Sequence, residues 1–288
     1  MNTPDAAGAY TELFADLSHE RKRSPMLTPI DQWIMSQVHR VRQSDLAHAA
    51  FSQVSSGAVR RSFQMAFETA QEVFERIGAP VPQAEDFTLA GTSWQRIAQI
   101  LQAPTDDSAQ LKTECAPAHK QFGSLRLVIA PHGIGFDEWR DLFSPEIRLS
   151  VARDVLEEFE QVDHYVSSPQ GEASMDPPTV VTQGRYGQPV IWGARLIDCS
   201  LSPSELGKNW FSAKHPTLPE LLSIQLGLLR SGEPLIDPHT FTWLDARVSH
   251  AQRAVRHSFD SREKTIRISS RDLGQQAPHQ GSRTVCPS

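Results

Sequence analysis

The chain has 288 residues, 39% of them hydrophobic and 22% charged, with six Trp and thirteen Phe, a globular balance that supports a sizeable core. No apolar run approaches the ~20 residues that cross a bilayer, so a membrane span is not expected. The net charge of −6 argues against a uniformly basic protein, yet residues 245–288 hold eight Lys/Arg against four Asp/Glu; that surplus of four leaves −10 on residues 1–244.

In chain order, residues 1–23 are polar and end in His19-Glu20-Arg21-Lys22-Arg23, a short helix or an arm. Thr28-Pro29 marks a helix start, followed by Ile30, Trp33, Ile34, Val38 and Val41 at helical spacing. Ser44-Asp45 marks a second start. The clearest helix is 58–77, where Val59, Phe63, Ala66, Phe67, Ala70, Val73, Phe74 and Ile77 form one stripe closed by Gly78 and Pro80. Residues 80–86 are linker-like. Residues 92–101 form a short helix with a capping-box pattern, Thr92 with Gln95, and a second helix is expected over 109–121.

After Gly123 the period changes. Residues 125–130 are a strand, followed by the loop Pro131-His132-Gly133-Ile134-Gly135 and a helix over 136–143 with Trp139 and Leu142 inward. A helix is expected over 149–162 and a loop over 169–178. Residues 179–181 and 189–192 flank Gly184-Arg185-Tyr186-Gly187 as a hairpin. Thr217 caps a helix from Pro219 to Leu229 that Gly232-Glu233-Pro234 ends. Val248, Ala251, Val255 and Phe259 give a further helical stripe, and residues 260–288 are polar enough to be expected disordered.

The fold class is α+β: a helical N-terminal region over 1–86, a mixed α/β domain with a small sheet over 87–259, and a basic tail over 260–288. Cys115, Cys199 and Cys286 are odd in number and far apart, neither a disulfide framework nor a zinc site. Residues 1–23 lack a basic segment before an apolar run, so no secretory signal is expected and a cytoplasmic location follows. The Trp residues at 139, 192, 210 and 243 are expected as core or interface anchors. No cofactor fingerprint and no metal-ligating cluster is present in the sequence; His250 and His257, seven apart, have no thiol or carboxylate to complete a site.

Gly91-Thr92-Ser93-Trp94-Gln95-Arg96-Ile97-Ala98-Gln99-Ile100-Leu101 resembles the first helix of a bacterial helix-turn-helix module. Ala118-His119-Lys120-Gln121-Phe122-Gly123 resembles the end of its recognition helix, so the resemblance covers about thirty of the 288 residues. It implies DNA binding, with Arg96, Lys112, His119 and Lys120 as donors to phosphates and base edges. The turn departs from the module: Gln102-Ala103-Pro104-Thr105-Asp106-Asp107 stands where a glycine is usual. A second, weaker candidate runs from Leu46-Ala47 through Val59-Arg60-Arg61, where a turn at Ser55-Ser56-Gly57 precedes a helix.

The catalytic candidate is His132, in a glycine loop between a strand and a helix, where ligands of α/β proteins often sit. Asp137 or Glu138, one helical turn on, would orient or assist it as a base. Two functions are therefore expected from different classes. The first is a non-enzymatic regulatory or accessory protein that binds a macromolecule, DNA or another protein. The alternative is a hydrolase- or transferase-like enzyme acting through His132 with Asp137 or Glu138.

Overall fold

The stripe at 58–77 becomes helix α1 (Gly57–Ile77), which buries Phe63, Ala66, Ala70, Val73 and Ile77 along one side. The computed structural model describes residues 57–82, 84–102, 124–163, 179–184, 187–248 and 252–286. Two short helices follow, α2 (Ala84–Leu89) and α3 (Trp94–Gln102). Trp94 sits among Phe63, Phe67 and Phe87, with ring centroids 5.8, 6.2 and 5.9 Å away, which fastens α3 to α1. The cap of α3 is Ser93 rather than Thr92: Ser93 Oγ accepts from the Arg96 N–H at 3.3 Å, while Thr92 is buried.

The chain then runs through β1 (Leu125–His132), α4 (Phe136–Phe143), β2 (Arg148–Val151), α5 (Arg153–Leu156), α6 (Phe159–Asp163), β3 (Thr179–Gln183) and β4 (Pro189–Asp198). Next come β5 (Glu205–Leu206), a 3-10 turn (Trp210–Ser212) and α7 (Leu218–Ser231). Five strands finish the chain: β6 (Phe241–Val248), β7 (Arg253–Asp260), β8 (Thr265–Asp272), β9 (Gln280–Ser282) and β10 (Val285–Cys286).

These strands form two sheets. In the first, β4 is central: it pairs antiparallel with β1 along one edge, and with β3 and β10 along the other. The second has the order β2-β8-β7-β6-β9-β5, with β2·β8 and β6·β9 parallel. Helix α7 touches β1 of the first sheet and β6 of the second. It is buried on every side from Leu218 to Leu228, with its buried Glu220 and Gln225 bonded to Arg195 and to the Ile236 carbonyl. Thr217 caps it with a full capping box to Glu220, and Gly232 ends it in the left-handed conformation.

Both helices and sheets are present, so the chain is α+β. Several expected elements differ. Residues 260–286 are not a loose tail: β8 is an interior strand of the second sheet, between β2 and β7, and β9 and β10 add one strand to each sheet. The composition misled because β8 has only Ile266 and Ile268 as large buried side chains, while Gln280, Ser282, Arg283 and Thr284 are buried polar residues held by hydrogen bonds. The helical stripe through Val248, Val255 and Phe259 is instead the β6–β7 pair. Leu149 lies on β2, and only 153–156 and 159–163 of the helix expected there are helical. Helix α1 packs on β1 and α7, so no domain boundary falls at residue 86. Cys199 and Cys286 are free thiols. Among the described residues, no helix is long and apolar enough to cross a membrane.

Candidate functional site

His132 closes β1, where Gly133 and Gly135 turn the chain with φ of 84° and 91°, values that favour glycine. Its ring is buried at 1% exposure. Nδ1 lies 3.2 Å from the Ile191 carbonyl oxygen and Nε2 lies 3.1 Å from Thr217 Oγ1. Burial lowers its pKa against the opposing pull of Glu220 and Asp163, so the neutral ring, with Nδ1–H donating to Ile191, is the favoured form. Asp137 and Glu138 are exposed. Asp137 pairs with Arg140 at 2.7 Å, and both acids line a surface hollow of about 420 Å³ whose wall excludes His132. The structure does not bring the three together. Asp163, which sequence reading missed, holds the loop instead, accepting from the Gly135 N–H at 2.8 Å and Trp139 Nε1–H at 3.0 Å.

A second buried polar set joins the sheets near α7. Arg195 on β4 pairs with Glu220, and His215 bonds the Trp210 carbonyl and Ser282. Burial holds His215 at a pKa of about 4. Burial pushes the Cys199 thiol up to about 12, which removes its nucleophilic form at neutral pH. Among the described residues, no group of three or more His, Cys, Asp or Glu could hold a metal ion. Each of these groups is spent on internal contacts.

Of the residues that the helix-turn-helix resemblance implied, Lys112, His119 and Lys120 lie outside the described residues. Arg96 is half-buried on α3, whose Ile97 and Ile100 face the core.

The outward chemistry lies on the second sheet. Arg247 on β6, Ala254 on β7 and Arg271 on β8 share one rung; Trp243, Arg256 and Ser269 share another, two residues along β7 past the Val255–Ser270 pair and across a register shift in β6. Residues two apart on a strand share a face, and adjacent strands lie ~4.8 Å apart, so Arg247, Arg256 and Arg271 converge on one face. Arg247 lies over the Trp210 ring at 4.3 Å, and Arg256 over the Phe241 ring at 4.1 Å. Trp210 packs on Trp243, Ala254 and Leu273 and donates from Nε1 to the Leu244 carbonyl at 2.9 Å, which fixes its ring. Arg256 also donates to Ser269 Oγ at 3.2 Å and Gln280 Oε1 at 2.8 Å, and Arg271 donates to Gln275.

No protein-family model, curated protein or solved structure matches this chain.

The three arginines differ from the other cations around them. Arg267, two residues before Ser269 on β8, is neutralised by Asp260 and Glu263, and Arg253 pairs with Asp154. In a groove of about 830 Å³ between α1 and α7, Arg126 pairs with Glu233 and Arg230 with Glu72 and Glu146. Among the described residues, Arg247, Arg256 and Arg271 form no ion pair with a carboxylate. Partial burial, together with the like charges of Arg271 and Arg253, lowers the Arg256 pKa to about 10. The only sequence signal for this face was the excess of basic residues after 245.

Proposed function

We propose that this chain is a non-enzymatic binding protein whose partner is a nucleic acid, held by its phosphates on the side of β6, β7 and β8 that carries Arg247, Arg256 and Arg271. The observation that carries this reading is the convergence of Arg247, Arg256 and Arg271 on one sheet face with no carboxylate partner among the described residues. Guanidinium groups fixed over rings are ordered before a ligand arrives, so less side-chain freedom is lost on contact. A guanidinium fork matches two phosphate oxygens, and an anion relieves the repulsion between Arg256 and Arg271. An accessory role in the cytoplasm fits this chemistry. The candidate base His132 is buried and bonded to the fold, which favours a structural role for it over catalysis.

The test is fluorescence anisotropy with labelled nucleic acid of mixed sequence, both single-stranded and duplex, at low salt. Arg247→Glu with Arg271→Glu should weaken binding more than tenfold without lowering the melting midpoint, because exposed charges contribute little to stability. Lys112→Glu with Lys120→Glu reports on the helix-turn-helix-like segment instead. No binding to either form, or binding that only the lysine pair affects, would overturn the arginine-face reading.

A further inference from the structure

We infer that the nucleic acid is taken as a single strand whose bases stack on Phe211 and His279. This rests on the reading above that the arginine face meets phosphates.

The face carries two sets built alike. In the first, Arg247 covers Trp210, and Trp210 meets Phe211 edge-on with centroids 5.7 Å apart. In the second, Arg256 covers Phe241, and Phe241 meets His279 at 5.6 Å. Each set therefore has a cation, an anchored ring and a second ring open to solvent. Phe211 is 62% exposed, the only exposed Phe or Trp among the described side chains, and His279 is exposed too. Leaving a phenyl ring largely in water forgoes the benefit of burying it. Nothing in the 3-10 turn Trp210–Ser212 requires it, since that turn is fixed through Trp210 and through Ser212, which donates to Asn209.

The inner rings are anchored by neighbouring backbone contacts. The Phe241 N–H donates to the His279 carbonyl at 2.8 Å, so the exposed imidazole rides on the same ladder as the ring it touches. Arg247 and Arg256 lie on adjacent strands, with Arg247 opposite Ala254, two residues along β7 from Arg256. That offset is ~7 Å along the strands and ~5 Å across them, so each ring set sits beside its own phosphate donor.

An unpaired base offers a flat face to a ring and a phosphate to the neighbouring guanidinium, whatever its identity. A duplex hides base faces in its own stack and offers only edges and backbone, so it would use the arginines and leave both rings idle. An acidic protein would likewise satisfy the arginines and not the rings. The alternation of open ring and fixed cation selects the single strand.

The test uses the full chain and two probes, oligothymidylate of about 16 nucleotides and a duplex of matched phosphate number. The single strand should bind at least about tenfold more tightly. Phe211→Ala and His279→Ala should each weaken single-strand binding by about fivefold or more and leave duplex binding unchanged. Phe211→Trp should restore it. Both side chains are exposed, so the variants should melt as the parent does. Equal or tighter duplex binding, or ring variants that change nothing, would overturn the single-strand inference while leaving the arginine reading intact. Failure of both probes to bind would remove the arginine reading itself.

Discussion

Arg283 donates from Nη2 to Asp237 Oδ1 at 2.6 Å, and neither side chain reaches solvent. Its other nitrogens reach the Asp198 and Ser200 carbonyls at the end of β4 and Thr242 Oγ1 on β6. One side chain between β9 and β10 therefore ties both sheets together. Asp237 also accepts from Thr240, Thr242 and His257, so the pair is embedded in a satisfied network. Burial alone would raise the Asp237 pKa; Arg283 and the bonds from His257 and Thr242 outweigh it and hold the carboxyl below its ordinary value.

Removing one partner leaves the other buried and uncompensated. Arg283→Ala should lower stability by about 3–5 kcal/mol, and ending the chain before Thr265 should abolish cooperative folding. Chemical denaturation checks the first and circular dichroism melting the second. An unchanged midpoint for the truncated chain would show that β8 to β10 are dispensable.

Stability should fall as the solution is acidified from about pH 6.5 toward pH 4. His215 is held at about 4 by burial, and His132 and His257 are also lowered, chiefly by burial. Below ~6.5 the unfolded chain takes up protons on these rings that the folded chain refuses. The stabilisation is thus complete above 6.5 and lost as pH falls through that window. His215 alone accounts for about 3 kcal/mol by pH 4. Melting midpoints at pH 7, 5.5 and 4.5 should drop in order, and less steeply in His215→Gln. A flat profile would mean these rings are solvated.

Gly281 sits where β9 crosses β5. A Cβ there would lie 2.0 Å from the Glu205 carbonyl oxygen, which is backbone and cannot swing aside. Gly281→Ala should cost about 1–3 kcal/mol through forced strand displacement. A loss below ~0.5 kcal/mol would show that β5 moves freely.

The elements legible in the sequence were those set by local rules. The stripe of α1, the Thr217 cap of α7 and the alternation around β3 and β4 each depend on neighbours within a few residues. Strand β7 was misread because Ala254, Val255, His257 and Ser258 are buried on both faces, which erases alternation. His132 was singled out as a catalytic candidate beside Asp137 and Glu138; the groups its ring meets in the structure, Ile191 and Thr217, lie 59 and 85 positions away. The arginine face was invisible for the same reason. Arg247, Arg256 and Arg271 meet only through strand register, and no local motif links them.

The salt dependence of binding to oligothymidylate tests the central claim most directly. Each phosphate neutralised on a single strand contributes about 0.7 to the slope of log K against log salt, so three arginines predict a slope of about −2. Arg247→Gln, Arg256→Gln and Arg271→Gln should each make the slope shallower by about 0.7. A slope near zero, or one that none of the three changes, would contradict the assignment of these arginines to a phosphate backbone.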